Sequence, residues 1–212
     1  MKKIFLTLLG LLIANAASAH PHSFLDMKNN VLFAQDKLEG FAMSWILDEI
    51  TSAELIYEIN SSDNKKETIK KITEELNQSA VDAHYFSELY DEKDQPIKFK
   101  SQPTTPRIEV KNNRVIYHFT LSLATPQNVA GRSFRLFTFE PSYYLSMSYE
   151  QPQDVTSTPQ SLCEVAMTEP KVSQSLRLYA SKLDKTETPD MPDSGSFSLG
   201  AQFAQKVSIV CK

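Results

Sequence analysis

The stretch Arg114-Val115-Ile116-Tyr117-His118-Phe119-Thr120-Leu121-Ser122-Leu123 places an apolar side chain at every odd position from 115 to 123, with His118, Thr120 and Ser122 between them. Successive side chains leave a strand on opposite faces, so this is a strand with one unbroken apolar face on a core and a mixed, more polar face turned away. The same period recurs at Phe41, Met43, Trp45 and Leu47, alternating with Ala42, Ser44 and Ile46. Leu38–Leu47 is expected to pair with Phe24–Phe33 as a hairpin through the polar turn Ala34-Gln35-Asp36-Lys37, with Trp45 in the core. Strands buried on one face only belong to antiparallel sheets.

Further strands are expected at Ser133–Glu140 and Tyr143–Tyr149, separated at Pro141, which has no amide to give to a ladder. Leu162–Met167 and Lys206–Cys211 follow as strands, with Gln151–Gln160 as a surface loop and Ser194-Gly195-Ser196 as a turn. Before Ile97 the period changes. Thr51-Ser52-Ala53-Glu54 has capping-box spacing for a helix reaching about Ile59, and Asn64 with Glu67 repeats it ahead of Ile69, Ile72 and Leu76. The sequence therefore predicts an α+β fold: a mainly antiparallel, sandwich-like sheet with a helical insertion over about 49–80, in one domain spanning 20–212.

At the N-terminus, Lys2-Lys3, an apolar run from Ile4 to Ile13 and the small residues Ala14–Ala19 have the form of a signal peptide over 1–19, cut after Ala19. The run is too short for a membrane anchor. The expected location is the periplasm, with no membrane anchor after cleavage. Of 22 basic residues, Lys2 and Lys3 leave with the leader, so the mature chain sets 20 against 26 acidic residues, a formal charge of −6. That balance argues against nucleic acid as a partner. Cys163 and Cys211 are the only cysteines and lack CxxC spacing, so in an oxidising compartment they are expected to form a disulfide; a thiolate metal site is the competing reading.

Cleavage after Ala19 would create an unusual end, His20-Pro21-His22. The α-amine and imidazole of His20 can chelate one ion together, and the imidazole of His22 lies two residues on. An α-amine ordinarily titrates at about 7.7 and an imidazole at about 6.5, which leaves these donors accessible to metal near neutral pH. Pro21 blocks the mode in which a second-position amide is deprotonated, because it has no amide hydrogen. Asp26, on the same strand face by parity, and Asp48, Glu49 and Glu140, at strand ends, are the candidate carboxylates. The expected metal set is His20, His22, Asp26, Asp48 and Glu140, with zinc first and nickel or copper as alternatives. His118 reads as a hydrogen-bonded sheet residue and His84, beside Tyr85-Phe86, as a packing residue. No glycine-rich phosphate loop, Gly-x-Ser-x-Gly elbow or His-Glu-x-x-His helix occurs, so no enzymatic activity is expected.

His20-Pro21-His22-Ser23-Phe24-Leu25-Asp26 behind a leader, Trp45-Ile46-Leu47-Asp48-Glu49, Glu140-Pro141-Ser142-Tyr143-Tyr144 and the closing Phe203–Cys211 segment resemble a bacterial family of periplasmic proteins of unknown function. That family is described as the periplasmic component of an uncharacterised ABC-type transport system and includes ZevA-like zinc-uptake proteins. The resemblance implies a polytopic inner-membrane permease of the nickel/cobalt type as partner, and a role in transition-metal supply. Glu140 stands where the family pattern implies aspartate. Asn60–Lys66 lacks the aspartates and glycine of a calcium loop, so no calcium site is expected there. Two other readings remain: a sheet-based adaptor of the permease that captures no metal, and a copper-binding histidine brace, which would need His84 or His118 near the terminus.

Overall fold

Alternating apolar residues build the first sheet. The computed structural model describes residues 21–159, 163–183, 189 and 197–212; the expected leader, His20 and the turn expected at Ser194–Ser196 lie outside them. Strand β1 (Ser23–Ala34) turns through Gln35-Asp36 into β2 (Lys37–Leu47), and the two pair antiparallel from Leu25↔Leu47 to Ala34↔Lys37. β2 pairs in turn with β6 (Arg114–Asn128), and β6 with β5 (Thr104–Lys111). The quoted stretch is therefore the second strand of a sheet ordered β5-β6-β2-β1. Gly40 sits at a bulge in β2, where an added Cβ would run into the carbonyl of Leu121.

Two additions to this sheet depart from the expectation of antiparallel pairing. β8 (Leu145–Ser148) and β9 (Val155–Thr158) both pair parallel to β1, one against its start and the other against its middle. β9 falls inside the stretch expected to be loop: its backbone hydrogen bonds come from β1, which composition does not reveal.

The second sheet has the order β10-β11-β7-β3-β4, from β3 (Ser87–Asp91), β4 (Pro96–Ile97), β7 (Ser133–Thr138), β10 (Cys163–Thr168) and β11 (Lys206–Cys211). Phe134, Leu136, Leu89, Val207 and Ile209 from this sheet share one buried cluster with Val31, Phe41, Met43, Phe119 and Leu121 from the first. Cys163 and Cys211 face each other across the β10–β11 ladder and are bonded, as expected.

The insertion is a helical pair, α1 (Glu49–Ser61) and α2 (Lys65–Asp82). Asn64 caps α2 as predicted, accepting from the Glu67 amide. For α1 the cap is Asp48, three residues before the expected Thr51: its carboxylate accepts from the Thr51 amide at 2.8 Å. Buried Ser52 joins this helix to the sheet by donating to the Leu47 carbonyl and accepting from the Val115 amide. Two short helices, α3 (Gln174–Ala180) and α4 (Leu199–Phe203), form a small second core of Ala180, Leu183 and Leu199, against which Tyr143 stacks on Phe203 at 4.1 Å. Among the described residues, no helix is long and apolar enough to cross a membrane.

Candidate functional site

The start of β1 is anchored rather than loose. The amides of His22 and Ser23 both donate to the Tyr144 carbonyl, at 2.9 and 3.2 Å, and the His22 ring lies 5.2 Å from that of Tyr144. The receiving turn is itself rigidly built. Glu140 folds its carboxylate back onto the chain, accepting from the Ser142 amide and hydroxyl and from the Tyr144 and Leu145 amides. Behind it, α4 presses Gly200 against the Glu140 carbonyl so closely that a Cβ would collide, and the Gly200 amide donates to Pro141.

Asp48 lies on the other side of the same strand end. The Ser23 hydroxyl donates to its Oδ2 at 2.8 Å, and the Thr51 amide and hydroxyl donate to it as well. Burial pushes this carboxyl up, but the hydrogen bonds from Thr51, Ser23 and Ile50 outweigh it and hold the pKa below the usual aspartate value. Asp26 is elsewhere, on the outer face of the sheet, where it forms an ion pair with Arg114 at 3.1 Å. Glu49 is exposed in the first turn of α1.

The three carboxylates of the expected metal set are therefore engaged structurally. Asp48 caps a helix, Glu140 closes a turn and Asp26 neutralises a cation. Among the described residues no group of three or more His, Cys, Asp or Glu side chains is arranged to hold a metal. Of the N-terminal histidine pair, His22 packs its ring against Tyr144, and His20 lies outside the described residues. The two internal histidines that a copper brace would draw on are placed otherwise: His84 is exposed rather than packed, and His118 is bound into the sheet.

Beneath Ser23 and Asp48 is a mainly apolar cavity of about 260 Å³, walled by Trp45, Leu76, Phe86 and Tyr117 among others. Phe24, which lines it, is 55% exposed, and Ile50 and Tyr144, next in sequence to the lining residues Thr51 and Leu145, are 76 and 43% exposed. The sequence does not reveal these residues as a group, because they come from β1, α1 and the turn before β8.

A second constellation lies on the outer face of the first sheet. Strand register lines up Arg107, His118, Ser44 and Lys28 in a row across β5, β6, β2 and β1. Ser44 Oγ is 2.8 Å from His118 Nδ1, and His118 Nε2 is 3.0 Å from Glu109 Oε2. The strand pattern places His118 in a hydrogen-bonded position but carries no sign of Ser44 and Glu109, whose proximity depends on register between three strands.

Two mainly antiparallel sheets, four helices among the described residues and a buried cross-strand disulfide define an α+β protein of layered architecture. The chain belongs to the family described as protein of unknown function DUF1007, which matches it over residues 5–211. It is 35% identical, over 99% of its length and the whole of the other chain, to an uncharacterised protein of Haemophilus influenzae (strain ATCC 51907 / DSM 11121 / KW20 / Rd). No solved structure matches it.

Proposed function

We propose that the processed protein is a periplasmic accessory of metal transport, which captures a transition ion at His20 and His22 and hands it to a polytopic inner-membrane permease. The observation that carries this reading is the double hydrogen bond from His22 and Ser23 to Tyr144: it fixes His22 at a defined edge of the first sheet, two residues from the terminus that cleavage would create. The ion is zinc, with nickel or copper as alternatives, because imidazole and amine nitrogen suit these borderline ions. The carboxylates of Asp26, Asp48 and Glu140 are not needed as ligands. Too few protein donors to close the shell leave room for exchange onto a receiving site. The leader and the disulfide fit an exported protein. The resemblance to ZevA-like periplasmic components of transport systems supports the choice of partner.

The adaptor reading draws on the exposed Phe24, Ile50 and Tyr144, which offer the permease an apolar contact without any metal. The two separate in a growth assay on metal-poor medium. Under the metal reading, His20→Ala with His22→Ala reproduces the defect of deleting the protein while its periplasmic level is unchanged. Normal growth of that double variant rejects metal capture.

A further inference from the structure

Three groups on three strands form an ordered proton path. A carboxylate can only accept, so Glu109 requires the hydrogen of neutral His118 to sit on Nε2, which leaves Nδ1 bare and facing the Ser44 hydroxyl at 2.8 Å. Ser44 therefore donates to His118, and His118 donates to Glu109. This is the polarity of a serine nucleophile, a base and the acid that orients the base, recognised by roles and not by order along the chain. The imidazole here uses Nδ1 toward the serine, opposite to the usual orientation, but either ring nitrogen can take a proton.

The three side chains line an open groove of about 380 Å³. Lys28, Lys111 and Arg114 line it as well, together with Asn112. Lys28 and Arg114 are paired with Asp154 and Asp26, each at 3.1 Å, whereas Lys111 lies within ion-pair distance of no carboxylate among the described residues. Charges facing His118 are Glu109 and Arg107 from β5 and, across Ser44, Lys28 from β1. Burial lowers the His118 pKa and Arg107 adds to this, against the pull of Glu109, so the ring is the neutral base at neutral pH.

We infer that Ser44 is an activated nucleophile, and that the groove accepts a small carboxylic ester bearing a negative charge. In the step, Ser44 Oγ bonds to the carbonyl carbon while His118 takes the hydroxyl proton. The ester C–O bond then breaks, and the proton passes from His118 to the departing alcohol. Water, deprotonated by the same ring, hydrolyses the acyl-serine and restores Ser44. Lys111 and Asn112 are the donors in the groove closest in character to what the developing negative charge requires.

The test uses the processed, disulfide-bonded protein and a fluorophosphonate probe, in which attack by Ser44 forms an O–P bond and releases fluoride. Intact mass and peptide mapping are expected to give one adduct, on Ser44, absent in Ser44→Ala. His118→Gln, which keeps a polar side chain in the sheet, should slow labelling about 100-fold, the scale of a lost general base. Glu109→Gln should slow it less. The wild-type rate should rise with pH as His118 loses its proton. Far-UV circular dichroism confirms that each variant is folded. Absence of an adduct on Ser44, or labelling that proceeds equally in His118→Gln or in urea, overturns the assignment and leaves the three residues as a structural cross-strand network.

Discussion

Replacing both cysteines by alanine, Cys163→Ala with Cys211→Ala, removes the clamp on the edge of the second sheet. β10 is the terminal strand of that sheet and pairs with β11 only, and the bond closes a loop of sequence separation 48 that contains α3 and α4. On the chain-entropy model a loop of that length stabilises the fold by about 4 kcal/mol. For a chain of this size that corresponds to a melting point lower by about 10 °C. Both sulfurs belong to buried residues, so alanine also forfeits some packing, which adds to the loss. Urea unfolding followed by circular dichroism measures the midpoint and the slope together. If the bond acts on the unfolded chain, the variant should show a lower midpoint and a steeper slope, because its denatured state exposes more surface. A loss below about 1 kcal/mol with an unchanged slope would refute this reasoning, as would two free thiols in exported wild-type protein by mass analysis.

Asp48→Ala removes both the cap of α1 and the acceptor of Ser23, and should destabilise the protein by about 1–2 kcal/mol in chemical denaturation. Because the folded Asp48 carboxyl titrates below its unfolded value, its contribution is present above the unfolded pKa and fades as pH falls through the folded one, so the difference between wild type and variant should shrink in acid. His118 is likewise depressed, chiefly by burial. Its neutral form matches the fold above the unfolded value of about 6.5, and stability should fall as pH drops below that value and through the folded pKa; His118→Gln should flatten that part of a melting-temperature profile below about pH 6.5.

The elements legible in the sequence are those whose partners are implied by their own pattern. β2 and β6 alternate cleanly because one face of each is buried, and β11 appears at its expected limits. β9 and β3 are short, and pairing with a distant strand rather than side-chain period creates them. The helical pair is legible from its caps, although Asp48 takes the role expected of Thr51: a carboxylate just after the strand reaches the free amides first. The same point explains the carboxylates of the candidate site. Parity puts Asp26 on the face of His22, but nothing in one strand announces that Arg114, from a strand two places away in the sheet, will claim it. Glu140 looks available in the sequence because the turn it closes returns through Tyr144 to His22, a contact between segments about 120 residues apart in the ladder. The Ser44–His118–Glu109 chain is hidden for the same reason.

Zinc titration of processed protein beginning at His20, set beside the same protein carrying one extra residue before it, tests the central claim most directly. Metal capture by the His20 amine predicts binding near neutral pH that weakens at least about tenfold in the extended protein, since a lost amine donor should cost no less than a lost hydrogen-bond partner of a ligand. Binding should weaken again in acid as amine and imidazole take up protons. Equal affinity of the processed and extended proteins would contradict it.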